Sequence, residues 1–277
     1  MRVKSFDQGA LTRRGLAGLA AGLAASTVLG PLSAAAQGAT SANLAMVGEP
    51  QSLDPMASTA DLVGTIMHHV YEPLFTFDAN WATQPMLAAT LPAVSADGKT
   101  YTIELRKGVK LHNGRDLDSE DVVASLKRWF EMTPRGKSLA KSLASLSTKG
   151  PGTVEIVLNK VEPSLLAHLA LPSGFAAIMA KESIANPLTE FVGTGPYKFR
   201  ERKPDQFVVL VKHDGYAARS EPASGYAGKR EARIDELRFI PVPNANTRLE
   251  GVIAGQYQFS DQLPVESFKK LSTASGA

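Results

Sequence analysis

The first 36 residues set the terms on which the rest of the chain can fold. Positions 1–10 are polar and basic, with Arg2 and Lys4, and Thr12-Arg13-Arg14-Gly15-Leu16 follows. Residues 16–32 carry no charge, and Ala34-Ala35-Ala36 precedes Gln37. A basic region, an apolar region and a small-x-small cleavage site, in that order, make an export signal. The paired Arg13 and Arg14 after a hydroxyl residue point to the twin-arginine route, with Ala34 and Ala36 as the peptidase site. An uncleaved membrane helix needs about 20 strongly apolar residues; here Gly15, Gly18, Gly22 and Gly30 dilute the run. The expectation is a chain read by the Tat translocon, folded before transport, and released soluble into the periplasm from residue 37 onward.

Two consequences follow for that released part. Residues 1–36 hold four basic side chains and one acidic, so the 30 Lys and Arg and 27 Asp and Glu of the whole chain reduce to 26 of each. The basic balance belongs to the signal, and nothing suggests a nucleic-acid partner. There is also no cysteine. That excludes a lipid-anchored terminus, disulfides, thiolate metal sites and a cysteine nucleophile. A chain exported without disulfides is held by its core alone, and about 240 residues suffice for one or two domains.

Periodicity places the elements. Residues 43–47 read as a strand, followed by the turn-rich Gly48-Glu49-Pro50-Gln51-Ser52-Leu53-Asp54-Pro55. Leu62, Ile66 and Val70 lie at helical spacing, predicting a helix over residues 61–74 that Pro73 ends. Strands are predicted at 74–77, 101–105, 153–158, 207–212, 237–242 and 257–259, with another starting at Tyr197 and a buried strand at 176–179. Asp118-Ser119-Glu120-Asp121 offers a cap for a helix carrying Val122, Val123, Leu126, Trp129 and Phe130 inward, broken over 133–137. Short helices are predicted at 163–169 and 244–253, and the tail from Ser272 is featureless. The fold class is α/β, mixed with α+β, because too many strands neighbour in hairpin fashion for a doubly wound sheet.

Catalytic and metal-binding patterns are weak. The five histidines are His68, His69, His112, His168 and His213. His68 and His69 are adjacent and would point about 100° apart on a helix, so they do not grip one ion as an i, i+4 pair does. Ser138-x-x-Lys141 and Ser267-x-x-Lys270 match the Ser–Lys spacing of penicillin-binding enzymes. The accompanying Ser-x-Asn and Lys-Thr-Gly elements are missing. Gly193-Thr194-Gly195 lacks the Gly-Lys-Ser/Thr of a phosphate loop, and Pro196 removes a backbone donor. No cofactor is implied.

Several segments read together carry a resemblance. They are Glu49-Pro50-Gln51-Ser52-Leu53-Asp54-Pro55, Tyr71-Glu72-Pro73-Leu74, Tyr101 through Leu111-His112-Asn113-Gly114, Asp118-Ser119-Glu120-Asp121-Val122, Gly193-Thr194-Gly195-Pro196-Tyr197, Ile240-Pro241-Val242-Pro243, and Arg248-Leu249 with Gly255. In this order they resemble the family 5 extracellular solute-binding proteins, which serve dipeptide, oligopeptide and nickel ABC importers. The resemblance implies a type II periplasmic binding protein fold and no catalysis. It also implies a monomer that captures a small solute, most simply a peptide, and delivers it to a permease and ATPase complex.

The resemblance also implies an arrangement. Residues 37–72 and 191–262 would form a discontinuous first-lobe domain, 73–190 an inserted domain, and 263–277 the start of a crossover to a second lobe. Family members are longer, so the chain is expected to be an incomplete, first-lobe portion with weak solute binding. The loop after Leu53-Asp54-Pro55 lines the cleft in the family, which carries over to Ser58, Thr59, Ala60 and Asp61. Thr59 and Asp61 can hydrogen-bond a polar ligand end, and Ser58 or Thr59 equally suits a helix cap. The family's Gly-x-x-Asp is here Gly255-Gln256-Tyr257-Gln258. The remaining alternatives are an exported Ser–Lys enzyme and a non-functional truncated product.

Overall fold

The structure is a computed structural model that describes residues 40–274. The export-signal residues Arg13, Arg14, Ala34 and Ala36 lie outside the described residues.

Two sheets organise the chain. The first has the order β11-β1-β10-β9-β8, with β1 (Ser41–Met46) parallel to both β10 (Glu236–Pro241) and β11 (Phe259–Ser260). β8 (Tyr197–Lys203) and β9 (Phe207–Lys212) continue it in antiparallel fashion. β1 sits between two partners, and its Ala42, Ala45 and Met46 are buried. The second sheet has the order β4-β5-β7-β6, all antiparallel: β4 (Ala93–Val94), β5 (Thr100–Glu104), β6 (Leu143–Thr148) and β7 (Thr153–Leu158). Its inward face follows from alternation. Tyr101 pairs with Ile156 and Ile103 with Val154, all buried, while the intervening threonines and glutamates turn outward. A small hairpin, β2 (Phe75–Phe77) with β3 (Thr83–Pro85), stands apart.

Helix α2 (Ser119–Met132) buries Val122, Val123, Leu126, Trp129 and Phe130, as its 3.6-residue period requires. Asp118 caps it, accepting the amide protons of Glu120 and Asp121, while the Asp121 carboxylate accepts the Asp118 amide proton. Thr133 ends α2 and caps α3 (Pro134–Ala140), with Pro134 at the first helical position. Further helices are α1 (Asp61–Met67), α4 (Leu165–Ala170), α5 (Ala245–Ile253) and α6 (Phe268–Thr273).

Four expectations need correction. Helix α1 stops at Met67 rather than running to Leu74. After it the chain turns through residues 68–70 and continues extended and buried to Phe77, because Pro73 disfavours helix in the residue before it. Residues 176–179 are buried but form no ladder, only a single bridge from Ile178 to Glu72. α3 resumes helix at Pro134, inside the expected break. α6 occupies part of the tail thought featureless.

One hydrophobic core runs through both sheets, joining Met46 and Phe239 to Tyr71, Phe75, Ile103, Trp129 and Ile156. The chain crosses between the sheets at residues 71–74 and again at 192–196, and these crossings are bonded to each other. Gly195 N–H donates to Val70 O (3.0 Å) and Tyr197 N–H to His69 O (3.0 Å). The buried Glu72 carboxylate accepts from Thr194 Oγ1 (2.9 Å) and Tyr216 Oη (2.8 Å). A Cβ on Gly193 or Gly195 would overlap the carbonyl oxygens of Val70 and His69, so only glycine allows this approach.

Candidate solute-binding groove

Asp61 and Thr65 of helix α1 and His68, the residue that caps its C-terminal end, lie at i, i+4 and i+7, on one side. That side borders an open cavity of about 370 Å³, completed by Pro172 and Ser173. A second cavity of about 410 Å³ adjoins it, bordered by Leu44, Tyr197, Arg230 and Leu237. Both share His68, His69 and Tyr226 and so form one groove.

The groove floor is aromatic and rigidly held. The His68 ring stacks on Phe175 with centroids 3.9 Å apart, and Tyr226 tilts over it at 5.7 Å. His68 Nε2 lies 3.0 Å from Pro172 O. A carbonyl can only accept, so Nε2 carries the proton. His68 Nδ1 is buried and has no hydrogen-bond partner among the described residues. Burial first, then the nearby Arg230 charge, lowers the His68 pKa to about 3, so the ring is neutral at pH 7. His69 is held in the same way: Nδ1 faces Thr65 O at 2.9 Å, and burial lowers its pKa. Its ring meets Tyr197 and Phe239 edge-on. Arg230 donates from Nη1 to His68 O (3.2 Å) and from Nη2 to Tyr226 O (3.1 Å).

Of the four residues singled out from the sequence, Asp61 lines the groove. Ser58, Thr59 and Ala60 stand beside it rather than in its wall. Ser58 Oγ accepts the Ala60 amide proton at 3.2 Å. The residue at the helix cap is Ala60, which has no side-chain bond, so neither Ser58 nor Thr59 caps α1. The Thr59 carbonyl accepts from Ser173 Oγ (3.0 Å) and so fixes one groove wall. His68, His69, Tyr226 and Arg230 were missed. The first was legible from its i+7 spacing to Asp61; Tyr226 and Arg230 lie in an irregular stretch with no pattern to read.

The Ser–Lys pairs are not assembled into a site. Ser138 and Lys141 are both exposed on α3 and at its end, and Lys270 is ion-paired to Glu250. The five histidines form no metal cluster with acidic residues among the described residues. Gln258, where the family carries an acid, staples the sheet edge: its Oε1 accepts the Asn43 amide proton at 2.8 Å.

The family model for bacterial extracellular solute-binding proteins, family 5 middle, matches residues 82–277. The chain belongs to this family. It is 34% identical over 269 residues to a probable peptide ABC transporter periplasmic-binding protein of Sinorhizobium fredii, covering 92% of this chain and 50% of the relative. It is 30% identical over 263 residues to a glutathione-binding protein of Pectobacterium atrosepticum, covering 91% and 47%. Among solved structures, a dipeptide-binding protein from Pseudoalteromonas sp. SM9913 in complex with Met-Leu superposes with a TM-score of 0.73 at 23% identity, over 84% of this chain and 49% of that one. A periplasmic binding protein from Agrobacterium tumefaciens in complex with agropinic acid gives 0.70 at 25%, over 84% and 46%. The fold is therefore that of the type II periplasmic binding proteins. The chain spans about half the length of the curated relatives it matches.

Proposed function

We propose that this chain belongs to the solute-capturing component of an ABC importer, acting in the periplasm on a peptide or similar small solute. The groove over His68, His69 and Tyr226 is the part of the solute site it supplies. The observation that carries the reading is this continuous, aromatic-floored groove beside Asp61 in a chain of the family 5 fold. No helix among the described residues is long and apolar enough to cross a membrane. The name of the Sinorhizobium relative supports a peptide as the solute.

The domain arrangement belongs to the same proposal. Residues 37–72 with 191–262 form one domain around the five-stranded sheet, 73–190 form the other around the four-stranded sheet, and 263–277 lead onward. Residues 1–36 are a twin-arginine signal. A ligand touching two lobes stabilises the closed form by its differential affinity, and the closed form engages the permease and ATPase. The protein works as a monomer without catalysis.

The test is NMR titration of the chain with a pool of di- and tripeptides at millimolar concentration. Shift changes concentrated at Asp61, His68, His69 and Tyr226 are expected. Changes confined to other surfaces would overturn the assignment of the groove.

A further inference from the structure

Rings stand in line from the core to the groove. Phe175 is buried, the His68 ring stacks on it with the planes inclined by 20°, and Tyr226 tilts at 45° over His68. The line ends at Tyr226, which is 43% exposed and borders both cavities. Beyond it the second cavity is walled by Leu44, Pro196 and Leu237 and by the His69 ring. Both imidazoles are neutral at pH 7, so no charge on the floor opposes burial of an apolar group there.

Tyr226 belongs to residues 219–229, a segment fastened to the β2–β3 hairpin and to the chain just after it. The buried Arg219 donates from Nη1 to Met86 O (2.9 Å) and Ala88 O (3.0 Å), and holds the Glu221 carboxylate through Nε and Nη2. Ser224 Oγ accepts the Ala79 amide proton (3.2 Å), and the Tyr226 amide donates to Phe77 O (2.9 Å). Gly225 lies so close to the hairpin that a Cβ would come within 2.7 Å of the Asp78 carbonyl carbon, and its φ of +57° suits glycine. The Tyr226 ring is therefore held in place before any solute arrives, which lowers the ordering cost of a contact with it.

Arg230 adds to these surroundings. It borders the second cavity and donates to His68 O and Tyr226 O. Hydrogen bonds to a guanidinium lie in its plane, so its faces stay open to a ring. Thr65 and Tyr226 also bring hydroxyl groups to the groove, and these serve any solute that can hydrogen-bond. The exposed π surface is more selective. An aliphatic group gains only burial beside Tyr226, whereas an aromatic ring of similar size gains in addition from offset or edge-on contact with the tyrosine and from the arginine charge.

We propose that the groove favours solutes that carry an aromatic ring, with Tyr226 as the residue that reads it. This rests on the groove being a solute site. The solute ring extends the line of Phe175, His68 and Tyr226 into the second cavity.

The probes are alanyl-phenylalanine and alanyl-cyclohexylalanine, which share charge and backbone and differ in π electrons. Each is titrated against the chain while the backbone and ring resonances of His68, His69 and Tyr226 are followed. The phenylalanine form is expected to bind about three- to tenfold more tightly, the value of one aromatic pair beyond its burial. Tyr226→Leu should bring the two forms to equal affinity, and Tyr226→Phe should keep the preference. Equal binding of the two forms at the wild-type groove would overturn the aromatic assignment and leave the solute site standing. A preference that survives Tyr226→Leu would overturn the role given to Tyr226. If neither form perturbs groove resonances, the solute-site reading and this inference fall together.

Discussion

At the scale of single residues, segments that carry the family resemblance hold the structure together. Asp54, in Leu53-Asp54-Pro55, is buried in a two-pronged ion pair with Arg128 of α2, one prong being Arg128 Nη1 to Asp54 Oδ1 at 3.0 Å. Asp54 Oδ1 also accepts the Met56 amide proton at 3.0 Å, which fixes the turn entering the loop before α1. Arg248 is likewise buried and donates to the carbonyls of Val242, Pro243, Asp261 and Gln262. Removing one member of a buried pair leaves the other charge uncompensated, at a cost of about 3–5 kcal/mol. Arg128→Ala should therefore lower the unfolding free energy by about that much, read from urea denaturation. Replacing both partners, Asp54→Leu with Arg128→Met, should recover most of the loss; no recovery would mean that the pair is not the source of the cost. Sequence alone marked Asp54 as part of a motif. It did not show the partner 74 positions away, because ion pairing across elements leaves no local pattern.

At the scale of elements, legibility followed the strength of the local signal. β5, β7 and α2 alternate or repeat cleanly and were placed within a residue or two. Residues 176–179 are apolar on every side and buried, and an apolar run of that length does not distinguish a strand from irregular buried chain. β6, with two exposed residues at Ala144 and Ser145 and a register shift, carries no period and was missed. The cap at Asp118 was read correctly, and its worth can be measured. Asp118→Ala removes both accepted amide bonds and the ion pairs to Arg115 and Lys181, and should cost about 1–2 kcal/mol in urea unfolding. The crossing at 192–196 makes a stronger demand. Gly195→Ala forces a methyl group into the carbonyl oxygen of His69, and the two bonded crossings must separate. Such overpacking costs about 1–3 kcal/mol or more. The variant should melt earlier than wild type, and Gly255→Ala, where a Cβ meets nothing but φ is +71°, tests whether backbone strain alone gives the same loss.

For the whole molecule, the two crossings join both sheets into one core, and that junction is where histidines concentrate. His112 Nδ1 accepts the Gly193 amide proton at 3.2 Å, while Nε2 faces Gly195 O at 3.0 Å. The ring is thus a neutral clamp on the crossing segment, with His213 at 4.9 Å against it and Nδ1 of that ring 3.3 Å from the same Gly195 carbonyl. Burial lowers the His112 pKa from 6.5 to about 4, and lowers that of His68 to about 3. His69 and His213 shift in the same direction, again through burial. In the unfolded chain these rings take up protons near pH 6.5, whereas in the folded chain all four resist protonation, His112 until near pH 4 and His68 until near pH 3. Between those limits the unfolded state holds more protons, so stability is full above pH 6.5 and falls as pH falls. Carboxylates with lowered pKa values, such as Glu221 and Glu231 at about 2, act in the same direction but only below their unfolded value of 4.5. The histidine contribution therefore sets in first, as pH falls from 6.5. The melting temperature should decline between pH 6.5 and 4.5. His112→Gln should melt below wild type at pH 7, because the clamp is lost, yet decline less steeply between pH 6.5 and 4.5. A wild-type melting temperature that stays flat over that interval would mean the histidines are not held neutral by the fold.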